Sequence, residues 1–273
     1  MLNKFLFTIA FILLVLVSIK LFSYLKKSSS AKFPEKTKLF YINLDKNDIR
    51  KDQLLNSYND TDMKNILLTR FPAILGKKVE LKKWLTPDAL IQIKETEETN
   101  TRTHHYQLTR GAVGCFLSHY TLCKQLTEDP DADYYLIFED DIIFNRNLSR
   151  NLNNYLSLAP SDWDIIQLYT HRKTAEFKTV GQFYKPQGFW GTQGYIINKK
   201  GAQKLVNEVV KNKIDGQIDA YLSRMIQQDK INLYITKQRL VGLNLNIRDT
   251  DIQCKIARKN INDNPFNYKG YLV

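Results

Sequence analysis

The sequence of 273 residues holds three cysteines, Cys115, Cys123 and Cys254, and no two of them stand at C-x-x-C spacing. Three thiols close no disulfide framework and suggest no zinc site, so they read as small buried hydrophobes in a reducing compartment. Glycine (11) and proline (7) are too scarce for a fibrous or low-complexity chain. No G-x-x-x-x-G-K-[ST] loop occurs, which removes the P-loop enzymes, and no internal repeat is evident. The formal charge of +12 is not gathered into a Lys/Arg stripe interleaved with aromatics. Nucleic acid is therefore not an expected partner; a membrane surface or an anionic substrate remains. Hydrophobic (43%) and charged (25%) fractions are those of an ordinary globular protein.

One long apolar run is present. Phe5 to Ile19 is almost purely apolar, and Leu21, Phe22, Tyr24 and Leu25 carry it past Lys20 to about the length a spanning helix needs. No A-x-A cleavage site follows, and Lys26 and Lys27 form a stop flank. Residues 1–25 are thus expected to be an uncleaved transmembrane anchor, 26–37 a linker bearing Ser28, Ser29, Ser30 and Pro34, and 38–273 the folded domain. Lysines outnumber those before the run on its carboxyl side, so the positive-inside rule places that domain in the cytoplasm. A lumenal domain in a eukaryotic host would override the rule.

The soluble part alternates. Lys38 to Leu44 reads as a buried strand, Asp45 to Tyr58 as a helix and Asn65 to Phe71 as a second strand. Glu95 to His105 is polar and Thr-rich and reads as a loop. Leu108 to Leu126 has helical apolar spacing with Thr109 as cap. Trp163 to Tyr169 and Gly194 to Asn198 read as strands, and Lys199 to Lys211 as an amphipathic helix. The pattern predicts an α/β sheet with helices on its faces.

Asp133 to Ile143 (DYYLIFEDDII) is the most informative segment. An apolar strand runs straight into Glu139, Asp140 and Asp141, which places three carboxylates where a strand leaves the core. Open α/β sheets bind ligands at that edge. Adjacent carboxylates repel unless a cation offsets them, and alternation along an extended chain would put Glu139 and Asp141 on one face. Oxygen ligands suit Mg²⁺ or Mn²⁺. A solvated acidic turn is the plain alternative.

Four stretches in order, FYINLDKNDIRKDQL (40–54), LTRGAVGCFLSHYTLCKQL (108–126), YLIFEDDIIF (135–144) and FWGTQGYIINKKGAQKL (189–205), resemble glycosyltransferase family 25. RFPAILGK (70–77) is similar to that family's R-x-x-A-x-x-G stretch. The resemblance implies a GT-A type, Rossmann-like mixed sheet, an Asp-x-Asp type metal site with Mn²⁺ or Mg²⁺, and inverting transfer of a hexose from a nucleotide-diphospho-sugar. A uridine-linked galactose is the donor it suggests first. The acceptor would be a hydroxyl of a glycan, glycolipid or collagen-like protein.

The resemblance also implies site residues. Asn43, Leu44 and Arg50 match the nucleotide-side segment, with a surface helix charge as the other reading of Arg50. Gly111, Gly114, Ser118 and His119 match a donor-side wall, and His119 reads equally as a satisfied core histidine. Glu139 and Asp141 are the expected metal ligands, Glu139 also reaching the ribose or a coordinated water. Asp140 is placed on the donor side, or simply holds the loop. Gly191, Thr192, Gly194 and Tyr195 match an acceptor-side segment, or a strand entry without ligand contact. Asp219 matches the V-D-x-x-L position and is the candidate base, with Asp215 its nearest competitor. After Leu233 the chain departs from the family, and Asp249, Thr250, Asp251 and Ile252 are the only remnant of its later Ser-Asp-Ile. A catalytically silent nucleotide-sugar or glycan-binding homologue is the main alternative, and a phosphoryl- or nucleotidyl-transferring enzyme is a third.

Overall fold

The computed structural model describes residues 34–103, 107–171, 174–247 and 255–256. Most of the expected anchor-and-linker segment therefore lies outside the described residues, as do Asp249, Thr250, Asp251, Ile252 and Cys254. Among the described residues no helix is long and apolar enough to cross a membrane.

Strand β1 (Thr37–Asn43) is followed by helix α1 (Asp48–Asn59) and strand β2 (Leu68–Pro72). The short α2 (Leu81–Trp84), α3 (Pro87–Thr99) and β3 (Thr101–Arg102) lead to the long α4 (Arg110–Glu128). Next come β4 (Tyr134–Glu139), β5 (Ile142–Phe144), α5 (Leu148–Ser157) and β6 (Ile165–Gln167). Strands β7 (Lys178–Val180) and β8 (Phe183–Lys185) precede β9 (Gly194–Asn198), which runs directly into α6 (Lys199–Asn212). Helix α7 (Ile218–Gln227), β10 (Leu233–Thr236), β11 (Val241–Leu243) and β12 (Lys255–Ile256) complete the order.

Eight strands form one mixed sheet in the order β2-β1-β4-β9-β6-β10-β8-β7. β1, β2 and β4 are parallel, β9 runs antiparallel between β4 and β6, and β10 is parallel to β6. Strands β1, β2, β4, β6 and β10 consequently point one way and end at a common edge. Alternate side chains of β4 enter different cores. Tyr135 and Ile137 pack on the side holding α4, α6 and α7. Leu136 and Phe138 pack on the side holding α1 and α5. That two-sided burial is why YYLIF is apolar without alternation.

Thr109 caps α4 as expected, its hydroxyl accepting from the Ala112 N–H at 3.1 Å. The loop expected at Glu95 to His105 is corrected through Thr99. Thr86 caps α3 and Pro87 starts it, while Ile93 and Thr96 turn inward, so the helix runs on through polar Glu95 to Thr99. It ends at Asn100, whose φ of 49° leaves the helical region.

The far end of the sheet is fastened at Asp129, after α4. Its carboxylate accepts from Lys38 Nζ at 2.7 and 2.9 Å, Tyr135 Oη at 2.7 Å and the Asp131 N–H at 2.9 Å. Burial pushes this carboxyl up, but those hydrogen bonds outweigh it and bring it to about 2. The folded value lies below the unfolded one, so the contribution is complete above about pH 4 and is lost as pH falls through about 2. Asp129→Asn is expected to cost about 1–2 kcal/mol at pH 7, since Lys38 remains partly exposed. Urea melts should show that gap closing between pH 4 and 2; a gap constant with pH would contradict the assignment.

Candidate functional site

The site is built where β1, β2 and β4 end together. Register pairs Ile42 with Glu139 and Asn43 with Pro72, so the residues after these strands face one another. A cavity there is lined by Asn43, Leu44 and Arg50 from the first motif, and by Ala73 to Gly76 after β2. Gly111, Cys115, Ser118 and His119 of α4 close one side, and Glu139, Asp140 and Asp141 another.

The loop after β2 lies against α4 through two glycines. A Cβ on Gly114 would come within 2.3 Å of the Ile74 carbonyl oxygen, and one on Gly76 within 1.7 Å of the Arg110 carbonyl oxygen. Ser118 locks this contact, donating to the Gly114 carbonyl and accepting from the Ile74 N–H, each at 2.8 Å. Gly114 thus sets the distance of the cavity wall from underneath and does not itself line the cavity.

The chain leaves extended geometry after Glu139, and Asp140 and Asp141 form a turn into β5. The alternation argument for Glu139 and Asp141 sharing a face therefore does not apply. Each carboxylate instead meets a different environment. Glu139 Oε1 accepts from Thr192 Oγ1 at 2.6 Å, and His119 Nε2 lies 3.5 Å away. Asp140 accepts from Asn43 Nδ2 at 2.7 Å and from Arg50 Nη1 at 3.1 Å, with both charged side chains largely buried. Asp141 Oδ1 is buried with no hydrogen-bond partner.

Electrostatics follow this division. Burial pushes Glu139 up, but His119 and Thr192 outweigh it and hold the carboxyl below its ordinary value. Burial raises Asp140, with Asn43 and Arg50 opposing. Asp141 is pushed up to about 7, by burial first and then by Glu139 and Asp140. Arg50 pairs with Asp140 and only partly offsets the rise of Asp141, one of whose oxygens is left without a hydrogen bond. An orphaned buried oxygen in an all-carboxylate turn fits a hard divalent cation.

A second, smaller cavity adjoins the first, and Glu139 and Cys115 line both. Gly191, Thr192, Gln193, Gln217 and Asp219 complete it. Gly191, at φ +86°, aims its N–H at Asp219 Oδ2, 3.1 Å away. Burial pushes Asp219 up, against hydrogen bonds from the N–H groups of Gly191 and Ala220. Asp215 is ion-paired with Arg224 and lines a separate cavity. The expected acceptor segment therefore divides: Gly191 and Thr192 reach the cavity, whereas Gly194 and Tyr195 lie in β9 in the core. Gly194 sits beneath Phe138 and Val241, and the Tyr195 hydroxyl is 3.0 Å from His119 Nδ1.

Three contributors were not among the expected site residues. Arg70 donates through Nε to Asn43 Oδ1 at 3.0 Å, and through Nη2 to the Asn43 carbonyl at 3.1 Å and Asp45 Oδ1 at 2.6 Å. Its place at the head of the R-x-x-A-x-x-G stretch was the available signal. Cys115 has ligand-capable sulfur within 4.8 Å of His119 and Glu139. Burial and the surrounding carboxylates push its thiol well up, which keeps it in the form that does not ligate. His171 is felt electrostatically by Glu139, and a lone histidine beyond β6 has no signal in sequence.

A mixed open sheet that brings a glycine-walled cavity and a carboxylate turn to the ends of its parallel strands defines an α/β ligand-binding fold of the edge-crevice class. More particularly, the chain belongs to glycosyltransferase family 25: the sequence model described as glycosyltransferase family 25 (LPS biosynthesis protein) matches residues 36–222. Procollagen galactosyltransferase 1 of Danio rerio is 28% identical over 208 residues, 72% of this chain and 33% of that protein. Procollagen galactosyltransferase 2 of Homo sapiens is 28% identical over 190 residues, 64% of this chain and 28% of that one. The glycosyltransferase 25 family member of Drosophila melanogaster is 28% identical over 214 residues, 72% of this chain and 32% of its own. The chain spans about a third of the length of these relatives. A solved structure, A197 from STIV, aligns over 82% of this chain and 99% of its own at 11% identity and a TM-score of 0.37.

Gly114→Ala must push the backbone of residues 74–76 outward. It is expected to cost about 1–3 kcal/mol of stability, more than Ser118→Ala in the same contact. Thermal melts of the two variants check this; a Gly114→Ala protein as stable as wild type would show that the wall is not set by this approach.

Proposed function

We propose that the chain is a metal-dependent, inverting glycosyltransferase of the GT-A fold. It moves a hexose, galactose before others, from a nucleotide-diphospho-sugar to a hydroxyl of a glycan, glycolipid or collagen-like protein. The observation that carries this is the carboxylate turn, with its orphaned Asp141 oxygen raised to about 7, at the open end of β4. Galactose is favoured by the names of the relatives, and a lipid-linked glycan by the description of the family.

The larger cavity takes the nucleotide. Asn43, held by Arg70 and Asp140, and Leu44 form its floor; Gly111, Ser118 and His119 form its helical wall. Asp141 would hold Mn²⁺ or Mg²⁺, with Glu139 beside it. The cation, when bound, supplies positive charge to the departing diphosphate.

The smaller cavity takes the acceptor. Its hydroxyl oxygen bonds to the anomeric carbon as the bond from that carbon to the diphosphate oxygen breaks, and the proton passes to the Asp219 carboxylate. Burial raises the basicity of Asp219, while the N–H groups of Gly191 and Ala220 fix its orientation. Asp215 is unsuited, being committed to Arg224. Glu139 and Thr192 form the partition between the cavities, which brings donor and acceptor into line.

Residues 1–25 are proposed to anchor the enzyme beside a membrane-bound acceptor, with the domain cytoplasmic by its lysine distribution, or lumenal in a eukaryotic host.

Nucleotide-diphosphate release by the full chain, measured against a panel of nucleotide sugars, should appear with one donor. Asp219→Asn should lower transfer by about 100-fold or more while donor affinity stays within about twofold. Release with no donor would overturn the transferase reading, and an active Asp219→Asn would overturn the choice of base.

A further inference from the structure

A third cavity, of about 370 Å³, opens beyond β6 and β10 and is lined by Tyr169, Thr170, Ile235, Thr236, Lys237 and Arg239 together with Thr174 and Ala175. Strands β6 and β10 run parallel to β4, so this cavity lies on the same edge as the carboxylate turn. Its floor is buried and its rim is cationic: Tyr169, Thr170, Ile235 and Thr236 are covered, Lys237 and Arg239 exposed.

Both cations are held beside the opening. The Arg239 guanidinium lies 5.0 Å over the Tyr169 ring and its Nη2 is 3.5 Å from the Thr170 carbonyl. Lys237 Nζ lies 6.0 Å over the Tyr184 ring. Among the described residues neither is ion-paired with a carboxylate, and no acid lines the cavity. Lys38, Arg50, Lys204 and Arg224, by contrast, are each ion-paired.

Two positioned cations at the mouth of a cavity that no acid lines attract oxyanions. β6 and β10 lie two and three strand spacings from β4, roughly 10 and 14 Å, too far for the cavity to share a diphosphate held at Asp141. Tyr169 nevertheless feels both Arg239 and Asp141, so the two sites adjoin. The smaller cavity, at the entry to β9, lies between them in the sheet order.

We propose that this cavity binds an acidic group, carboxylate or phosphate, carried on the acceptor beside the reacting residue, which makes the enzyme selective for acidic over neutral glycans. This rests on the transferase reading for its biological meaning, but not for its test.

The test is a ligand-observed NMR titration of the full chain with glucose, glucuronate and glucose 6-phosphate, with uridine diphosphate and diamagnetic Mg²⁺ present to fill the nucleotide site. An acidic sugar should bind and glucose should not, and the tighter of the two acids identifies the group. Arg239→Gln and Lys237→Gln should each weaken binding about tenfold, and Arg239→Lys, which keeps the charge but loses the planar fork, should weaken it less than Arg239→Gln. Wild-type binding should also weaken as salt rises, which needs no variant. Equal binding of glucose and the acids, no binding of either acid, or binding unchanged in both Gln variants would overturn the proposal. Were no nucleotide sugar turned over, the transferase reading would fall while this titration still decided the anion site.

Discussion

The structure turns on a conflict at the end of one strand. β4 is buried on both faces by its YYLIF run, and Glu139, Asp140 and Asp141 follow with no residue between them. Three neighbouring carboxylates leaving an apolar core cannot all ionise without separate compensation. The chain compensates by turning, so that each acid meets a different surface. Asp140 takes Arg50 and Asn43, Glu139 takes Thr192 beside His119, and Asp141 is left buried and unmatched.

Much of the surrounding architecture answers to that turn. Asn43 can hold Asp140 because Arg70, one strand further out, holds Asn43. The Asn244 N–H fastens the Asp141 carbonyl from the far side at 2.8 Å. Magnitudes separate these bonds from the ordinary ones. Exposed pairs such as Lys94–Glu98, at 3.7 Å, contribute a few tenths of a kcal/mol. A carboxylate oxygen buried without a hydrogen bond costs more than such a pair gains, and Asp141 answers with a carboxyl raised to about 7. Glu139 lines both cavities and so stands at their junction.

Much of this was legible in sequence. The strand running into acids, the Thr109 cap and the change from β9 to α6 at Asn198 and Lys199 all followed from pattern and propensity. The reading failed where tertiary contacts decide. Alternation placed Glu139 and Asp141 together, but alternation holds only while the chain stays extended, and the turn ends it. Motif matching grouped four glycines by type, whereas packing divides them. Gly111 and Gly191 line cavities, Gly114 lets a loop approach a helix, and Gly194 sits under Phe138. Polar Glu95 to Thr99 looked like loop because the cap and apolar face that carry it lie upstream. Cys115 and His171 gain their place only when α4 and the segment after β6 converge on Glu139.

The central claim is that Asp141 completes a cation-dependent nucleotide site. Titration of uridine diphosphate into the full chain and into Asp141→Ala, each with and without Mn²⁺, tests it without requiring an acceptor. The account predicts that Mn²⁺ tightens binding by about tenfold or more in wild type, and that the variant keeps only the weaker, metal-independent affinity. The same affinity with and without Mn²⁺ in wild type, or a variant that responds to Mn²⁺ as wild type does, would contradict it.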